Sequence, residues 1–280
     1  MNFNLLDKNN NASIILAGIL ALIVGVGVAR FVFTSLLPAM LDDYLSVTFA
    51  GVLASINYVG YLGGSIFAVF IKDINSKVKY FRFGMVLCVV TTLVLGTSNS
   101  DSLWSISRVI AGFGAAMALV VGSAIVMTKL KMQSKTKAMG IHFSGIGFSI
   151  LVTDLITRLV FSFGEDWKMA WIVLTVFGLF ASLYSMYILS FDKEVKQNVA
   201  VHKFDKSLFT PFVILLIIAY FTEGVGMVVQ GTFLPDIINT LDGLNGYGGY
   251  TWTIVGLAGI PSCIIWMTIA HKYGSVNIII

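Results

Sequence analysis

The sequence predicts an all-helical integral membrane protein, and three observations lead to that prediction. Hydrophobic residues make up 57% of the 280 residues, charged residues make up 11%, and the mean hydropathy is +0.90. Soluble domains carry about 25% charged residues, because a folded particle in water needs polar side chains on its surface. The apolar residues form continuous runs, which favours helices over the alternating strands of a membrane barrel. Lysines gather in the short segments between these runs.

Eight apolar runs are long enough to cross the hydrocarbon core, which takes about 20 residues of helix. The first run is too long for the core of a signal peptide, so we expect it to be the first membrane helix. Residues 276–280 resemble the start of a ninth run. The predicted spans are 13–40, 47–71, 80–97, 103–128, 137–161, 169–190, 208–233 and 248–270.

The same composition excludes other classes of protein. High hydrophobicity excludes a disordered chain. The net charge of +4 is spread over short loops, so we expect no nucleic-acid partner. Cys88 and Cys263 each lie inside an apolar run, which indicates packing residues and predicts neither a disulfide framework nor a metal site.

The positions of lysine and arginine predict a cytoplasmic N-terminus. With that orientation, 14 of the 18 basic residues lie in inside segments, and the outside loops hold only Lys168. Cytoplasmic loops carry the excess of positive residues in membrane proteins. We therefore expect a multi-pass protein with its N-terminus in the cytoplasm.

Short sequence matches indicate an internal repeat. Residues 25–27 (Gly-Val-Gly) recur as 224–226, 199 residues later, and Gly60 recurs as Gly256, 196 residues later. Parallel repeats of six helices are a transporter architecture, with substrate bound between the two bundles. The predicted parts are a six-helix bundle (1–190), a cytoplasmic linker (191–207), and the first two helices of a second, incomplete bundle (208–280).

Charged residues inside the spans are the candidates for function, because a charge in the bilayer costs about 2.5–3.5 kcal/mol on insertion scales. Arg30 lies about 25 Å into the first helix. Gly25 and Gly27, one turn earlier, leave room for a substrate or a neighbouring helix. We interpret Arg30 as an anion-binding or gating residue, with a structural ion pair between helices as the alternative.

Glu223 is the glutamate placed deep in a span, in the middle of the seventh helix. A carboxylate that gains and loses a proton there is what proton coupling requires. The alternatives are a permanently protonated hydrogen-bond donor and a partner for Arg30. Gln230, two turns further on, is expected to line the same cavity.

Arg108 lies about one turn inside the fourth helix and precedes a series of small residues. Gly112, Gly114 and Ala116 predict a tightly packed helix face with the arginine at its end. We therefore take Arg108 as a further candidate for substrate binding or coupling, with an arginine that reaches outward to the interface as the alternative.

The fifth helix carries three secondary candidates. Asp154 and Arg158 are four residues apart and share a helix face, which predicts a local ion pair, or else an outer gate. His142 lies near the inner end of this helix and is either a proton relay or a polar packing residue.

No catalytic motif is present, so we do not expect an enzyme. The sequence has no Ser-His-Asp pattern, no metal-binding histidine pair and no phosphate-binding loop. The missing phosphate-binding loop argues against ATP as the energy source, and we expect no cofactor.

Several stretches resemble a known family. The pattern R-x-x-x-G-x-G-x-A over 108–116 resembles the helix-four motif of the major facilitator superfamily. Residues 27–38, 140–147 and 223–235 resemble the YbfB/YjiJ group of that superfamily, and 57–63 fits it as well.

The resemblance implies a twelve-helix, alternating-access transporter driven by an ion gradient, usually of protons. It implies a cavity between helices one, four, seven and ten, and Arg30, Arg108 and Glu223 lie on such helices. Helices nine to twelve have no counterpart in the 280 residues, so we expect a fragment. The expected function is proton-coupled transport of a small organic solute across the lipid bilayer of a bacterial inner membrane, by a monomer. The alternative is a truncated, non-transporting membrane protein or membrane interaction partner.

Overall fold

The computed structural model describes residues 4–131, 135–191 and 209–274, and the regular structure in these ranges is helical. Eight helices of the described ranges are long and apolar enough to cross a membrane, which confirms the predicted number of spans. They are α1 (Asn11–Asp43), α2 (Val47–Phe70), α3 (Ile74–Thr97), α4 (Asp101–Lys129), α5 (Lys137–Ser162), α6 (Trp167–Ile188), α7 (Pro211–Thr240) and α8 (Thr251–Tyr273).

The start of α3 differs from the prediction. The helix begins at Ile74 rather than at residue 80. Asp73 caps it, because its Oδ1 accepts a hydrogen bond from the backbone N of Ser76 at 2.8 Å. Hydrogen bonds from the side chain and then the backbone of Ser76 lower the pKa of the exposed Asp73 carboxyl. The polar residues after Asp73 are therefore helical, although they do not add to the apolar run.

The end of α7 also differs. The helix continues to Thr240, beyond the predicted end at 233. The predicted linker 191–207, apart from Phe191, and the start of a ninth run at 276–280 lie outside the described residues.

Five other helices also begin at a residue whose side chain caps the first turn. A cap that accepts a backbone N–H of the first turn is worth about 0.5–2 kcal/mol. Such caps precede α1, α2, α4, α6 and α7, and they are Asn10, Ser46, Ser100, Asp166 and Thr210.

The chain forms two compact units. The described part of the larger unit is 4–131, 135–191 and 252–274, which holds α1 to α6 and α8. The described part of the smaller unit is 209–251, which holds α7. In the smaller unit, Asn239 Oδ1 accepts hydrogen bonds from the backbone N of Gly246 at 3.2 Å and of Gly248 at 2.9 Å. These bonds fix the loop after α7.

The core of the larger unit is apolar. One buried cluster surrounds Phe81 of α3 and Met117 of α4. A second surrounds Phe33 of α1, Trp104 of α4 and Trp171 of α6. Helix α4 thus contributes to both clusters and packs against α2 and α3.

Widened turns interrupt α1 and α4. Residues Ile23–Phe31 of α1 and Met117–Val121 of α4 are π-helical, and helix of this type is frequent at functional sites. The two segments pack closely, because a Cβ on Gly25 would collide with Cβ of Ala118.

Three aromatic side chains pack together at one end of the larger unit, and two carboxylates accept hydrogen bonds from them. The ring centroids of Tyr44 and Trp104 are 5.2 Å apart, and those of Trp104 and Trp167 are 5.8 Å apart. The Tyr44 hydroxyl donates to Asp101 Oδ1 at 2.6 Å, and this bond raises the pKa of Tyr44 to about 12. The Trp167 Nε1–H donates to Asp43 Oδ2 at 3.0 Å.

Helices α2 and α4 cross at backbone contact distance. A Cβ on Gly112 of α4 would collide with the carbonyl oxygen of Asn57. A Cβ on Gly60 of α2 would collide with the carbonyl oxygen of Val109. The Asn57 side chain also donates from Nδ2 to the carbonyl of Arg108 at 2.9 Å, which joins the two backbones.

This crossing predicts that Gly60→Ala destabilises the protein. The added methyl group meets backbone atoms of α4 that cannot move aside, and overpacking of this kind costs about 1–3 kcal/mol. Gly63→Ala, one turn along the same helix, is the matched control, because nothing lies within 4 Å of its added Cβ. The thermal midpoint in detergent should fall for Gly60→Ala and not for Gly63→Ala. Equal midpoints for the two variants would contradict the close crossing.

Candidate functional site

Arg30 lies in the widened segment of α1 with aromatic rings around its guanidinium. The distance from Cζ to the ring centroid is 4.3 Å for Tyr58, 5.1 Å for Tyr61 and 5.6 Å for Phe31. Tyr58 and Tyr61 are three residues apart on α2 and therefore share a face. A cation within about 6 Å of a ring centroid is attracted by the electrons of the ring face. Aromatic contacts therefore stabilise the Arg30 cation inside the larger unit.

Arg30 has no acceptor in its own unit. Among the described residues of the larger unit it makes no hydrogen bond and no ion pair, and its Nε atom is buried without a partner. A guanidinium carries five N–H donors and no acceptor. The site around Arg30 thus has unused donors and a positive charge that no carboxylate of this unit balances.

Arg108 is 2% exposed, and backbone carbonyls bind its side chain. Its Nη1 donates to the carbonyl of Ala29 at 3.0 Å, and its Nε donates to the carbonyl of Leu53 at 3.4 Å. The Phe33 ring centroid lies 4.5 Å from its Cζ. Ala29 directly precedes Arg30 in the chain, so Arg108 fixes the backbone that presents Arg30.

Trp252 extends the site to α8. Its ring centroid is 5.7 Å from that of Phe31, and the residue is 5% exposed. Its Nε1–H is buried without an acceptor. The Phe31 ring thus contacts both Trp252 and the Arg30 guanidinium. Arg30 and Trp252 each hold an N–H donor that has no acceptor in the larger unit.

Sequence reasoning missed three residues of this site as functional candidates, namely Tyr58, Tyr61 and Trp252. The helical spacing of the two tyrosines on either side of Gly60 was an available signal, because it places both rings at a close helix crossing. Trp252 gave no comparable signal, since its contact with Phe31 joins residues far apart in the chain.

Asp154 and Arg158 form an ion pair on α5. The distance from Arg158 Nε to Asp154 Oδ2 is 2.8 Å, and the side chains are 33% and 4% exposed for Arg158 and Asp154. Asp154 also accepts from Ser35 Oγ of α1 at 3.4 Å and from the hydroxyl of Thr253 on α8. One buried carboxylate therefore joins α1, α5 and α8.

Glycines bring α5 and α8 together beside this pair. A Cβ on Gly147 would collide with the backbone N of Ile260, and a Cβ on Gly256 would lie 2.7 Å from the backbone N of Leu151. Small residues permit such close approach of membrane helices. The contact between α5 and α8 is thus made of backbone and one polar cluster.

His142 is buried at the contact of α1, α4 and α5. It is 1% exposed, and its Nε2 lies 2.9 Å from Ser123 Oγ of α4. Its Nδ1 is buried without a partner, and a Cβ on Gly18 would lie 2.5 Å from this atom. The histidine therefore occupies the space that Gly18 leaves.

Glu223 and Gln230 both lie on α7 in the smaller unit, and both are exposed there. They are seven residues apart, about two turns, so they lie on nearly the same face of one continuous helix. The predicted shared face is therefore present on α7.

The candidate residues of the larger unit can bind a ligand and stabilise a charge on it. Its unused donors are cationic or neutral N–H groups, which suit an acceptor ligand. In the part of the chain that the structure describes, no group of three His, Cys, Asp or Glu residues is placed to hold a metal ion.

The eight apolar helices of the described ranges define a multi-pass integral membrane protein. Among solved structures, the chain is similar to the crystal structure of a D-xylose–proton symporter. The TM-score is 0.53 at 14% identity, and the match covers 92% of this chain and 66% of that one. At this identity the similarity establishes the fold alone.

The family follows from the sequence itself. Residues 22–280 match the family model described as uncharacterised MFS-type transporter YbfB, and the chain belongs to this family. The chain is also 24% identical over 158 residues to the uncharacterised MFS-type transporter YtbD of Bacillus subtilis (strain 168). That match covers 56% of this chain and 39% of the relative, so the chain spans about two fifths of the relative's length.

The Asp154 cluster predicts an asymmetric response to substitution. Arg158→Met leaves a nearly buried carboxylate without its countercharge, and breaking a buried pair in this way costs about 3–5 kcal/mol. Asp154→Asn keeps an acceptor for Ser35 and Thr253, and Arg158 is already one-third exposed, so the loss should be smaller. The free energy of unfolding from SDS titration measures both.

The double variant completes this test. Asp154→Asn with Arg158→Met should recover most of the stability that Arg158→Met alone loses, because no unpaired charge is left. If Arg158→Met is as stable as the original chain, the ion pair does not stabilise Asp154.

Proposed function

We propose that this protein is a secondary active transporter of a small organic solute that works by alternating access. The observation that carries the proposal is Arg30, a cation in the middle of an apolar helix with no acceptor in its own unit. A charge at such depth costs about 2.5–3.5 kcal/mol on insertion scales, so an arginine with neither a carboxylate nor a backbone carbonyl as its partner favours a ligand site. Membership of a transporter family supports the same conclusion.

The contact between α5 and α8 supports alternating access. Few residues of the apolar segment of α8 are buried, and its contacts with α5 include close glycine contacts and the Asp154 cluster. Such a contact buries little apolar area, so it can form and break during a transport cycle. In parallel-repeat transporters the two bundles rock about a substrate site near mid-membrane.

Glu223 is our candidate for proton coupling. It lies about 18 Å along α7, within the apolar segment Pro211–Val228. Ionisable residues in membrane helices mark ion pathways and proton relays. The similarity in fold to a protein named as a proton symporter is compatible with this role.

The charge distribution supports an N-terminus in the cytoplasm, and we propose a bacterial inner membrane as the location. Fourteen of the 18 basic residues then lie in cytoplasmic segments. We expect the protein to act as a monomer, with the bilayer and a small-molecule substrate as its partners and without a cofactor.

Solute uptake into proteoliposomes tests the proposal. Liposomes carrying this chain are given a mixture of sugars, amino acids, carboxylates and polyamines under an imposed pH gradient, and mass spectrometry reads the lumenal content. At least one solute should accumulate only with the gradient. No uptake of any solute would favour a non-transporting membrane protein instead.

Glu223→Gln should abolish the gradient-driven accumulation, because the amide cannot carry a proton, while exchange of solute down its own gradient continues. The matched control is Glu165→Gln, which changes an exposed glutamate between α5 and α6. Unchanged accumulation in Glu223→Gln would remove Glu223 from the coupling mechanism.

A further inference from the structure

Two residues with an unused N–H donor, Arg30 and Trp252, both contact the ring of Phe31. The Phe31 ring centroid is 5.6 Å from Arg30 Cζ and 5.7 Å from the ring centroid of Trp252. Arg30 Nε and Trp252 Nε1 are both buried, and neither has an acceptor within the larger unit. A buried polar atom without a partner costs about 1–3 kcal/mol, so two of them at one place call for an explanation.

The chemistry of the two donors selects the ligand. Neither an arginine side chain nor an indole N–H can accept a hydrogen bond, so together they favour a group that only accepts. Arginine adds a positive charge, which favours an anion over a neutral acceptor. Its in-plane N–H groups match the two oxygens of a carboxylate.

The aromatic rings around Arg30 favour a ligand whose remaining part is flat and apolar. Tyr58 and Tyr61 hold their ring centroids 4.3 and 5.1 Å from Arg30 Cζ, and Phe31 and Trp252 continue the aromatic surface. Aromatic rings pack well against a flat, apolar body. Ammonium groups are disfavoured, because Arg30 already supplies a cation.

We propose that Arg30 and Trp252 form the carboxylate subsite of the transported ligand, and that the ligand is an organic anion with a planar, apolar body. This inference rests on the proposed transport function and names its substrate class. Trp252 is 5% exposed, so its side chain must change its surroundings when the ligand binds. Tryptophan fluorescence is therefore a suitable signal.

Binding of three matched probes tests the inference. The purified 280-residue chain, in nanodiscs of phosphatidylcholine, is titrated with benzoate, benzamide and benzylamine. These share a ring and differ in charge. Benzoate should bind at least about tenfold tighter than benzamide, which is the size of a charge-assisted hydrogen bond, and benzylamine weaker still. A benzoate Kd above about 10 mM, or equal Kd values for benzoate and benzamide, would overturn the inference.

Variants assign the binding to the two donors. Arg30→Met should remove the preference for benzoate over benzamide, while Arg30→Lys, which keeps the charge, should retain part of it. Unchanged preference in Arg30→Met overturns the inference, provided that size-exclusion chromatography gives the same single peak as the original chain.

Trp252→Phe keeps the ring against Phe31 and removes the N–H, so benzoate affinity should fall by about two- to tenfold. Trp171→Phe is the matched control, because Trp171 is also buried with an unpartnered Nε1 but is not among the rings that contact Phe31. Equal affinities for these two variants would remove Trp252 from the subsite.

An anionic lipid headgroup offers the same acceptor chemistry, so the titrations are repeated in nanodiscs containing phosphatidylglycerol. The benzoate Kd should be unchanged. A Kd that rises with phosphatidylglycerol, and does so only while Arg30 is present, would assign the site to lipid and overturn the inference.

The binding experiment and the uptake experiment can give opposite results, so the two proposals are tested separately. Arg30-dependent benzoate binding without solute uptake would support the anion subsite and contradict transport. Solute uptake by a chain that does not prefer benzoate would support transport and contradict the subsite.

Discussion

The Arg108 guanidinium is the interaction on which the arrangement of the larger unit depends. A buried cation needs acceptors on every side, and here the carbonyls of Ala29 on α1 and Leu53 on α2 supply them to a side chain of α4. Removing these bonds would leave an uncompensated charge, so the three helices must keep their register. The backbone that presents Arg30 is fixed by the same bonds, which makes the candidate site a consequence of this packing.

Such bonds between helix backbones and a side chain require that the helices approach closely. The absence of side chains at Gly60 and Gly112 lets α2 and α4 touch at the backbone, and Gly25 lets the widened segments of α1 and α4 meet. Lipid provides no hydrophobic force that drives one helix against another, so close packing and polar bonds hold membrane helices together. A methyl group at these glycines would separate the helices and weaken the bonds of Arg108 as well.

The larger unit accommodates its buried charges in three different ways, and the differences suggest different roles. Arg108 is bound by backbone carbonyls, and Asp154 is balanced by Arg158 and two hydroxyl groups. Arg30 has aromatic rings around it and no acceptor in its unit. In the first two arrangements the charged group has hydrogen-bond partners inside the unit, whereas Arg30 has none and its donors remain for a ligand. The number of unused donors, rather than burial alone, thus distinguishes a binding residue from a structural one.

The sequence by itself determined the eight helices, the short loops between most of them and the spacing of Asp154 and Arg158, because length, hydropathy and i, i+4 spacing are local properties of the chain. It also placed Arg30 within a helix, though not the surroundings of its guanidinium. Tertiary structure alone decided that Tyr58, Tyr61 and Trp252 belong with Arg30, and that carbonyls of two other helices bind Arg108. The physical reason is that these contacts join residues distant in the chain, and the rotation of each helix about its axis is set by the glycines and buried charges that pack against its neighbours.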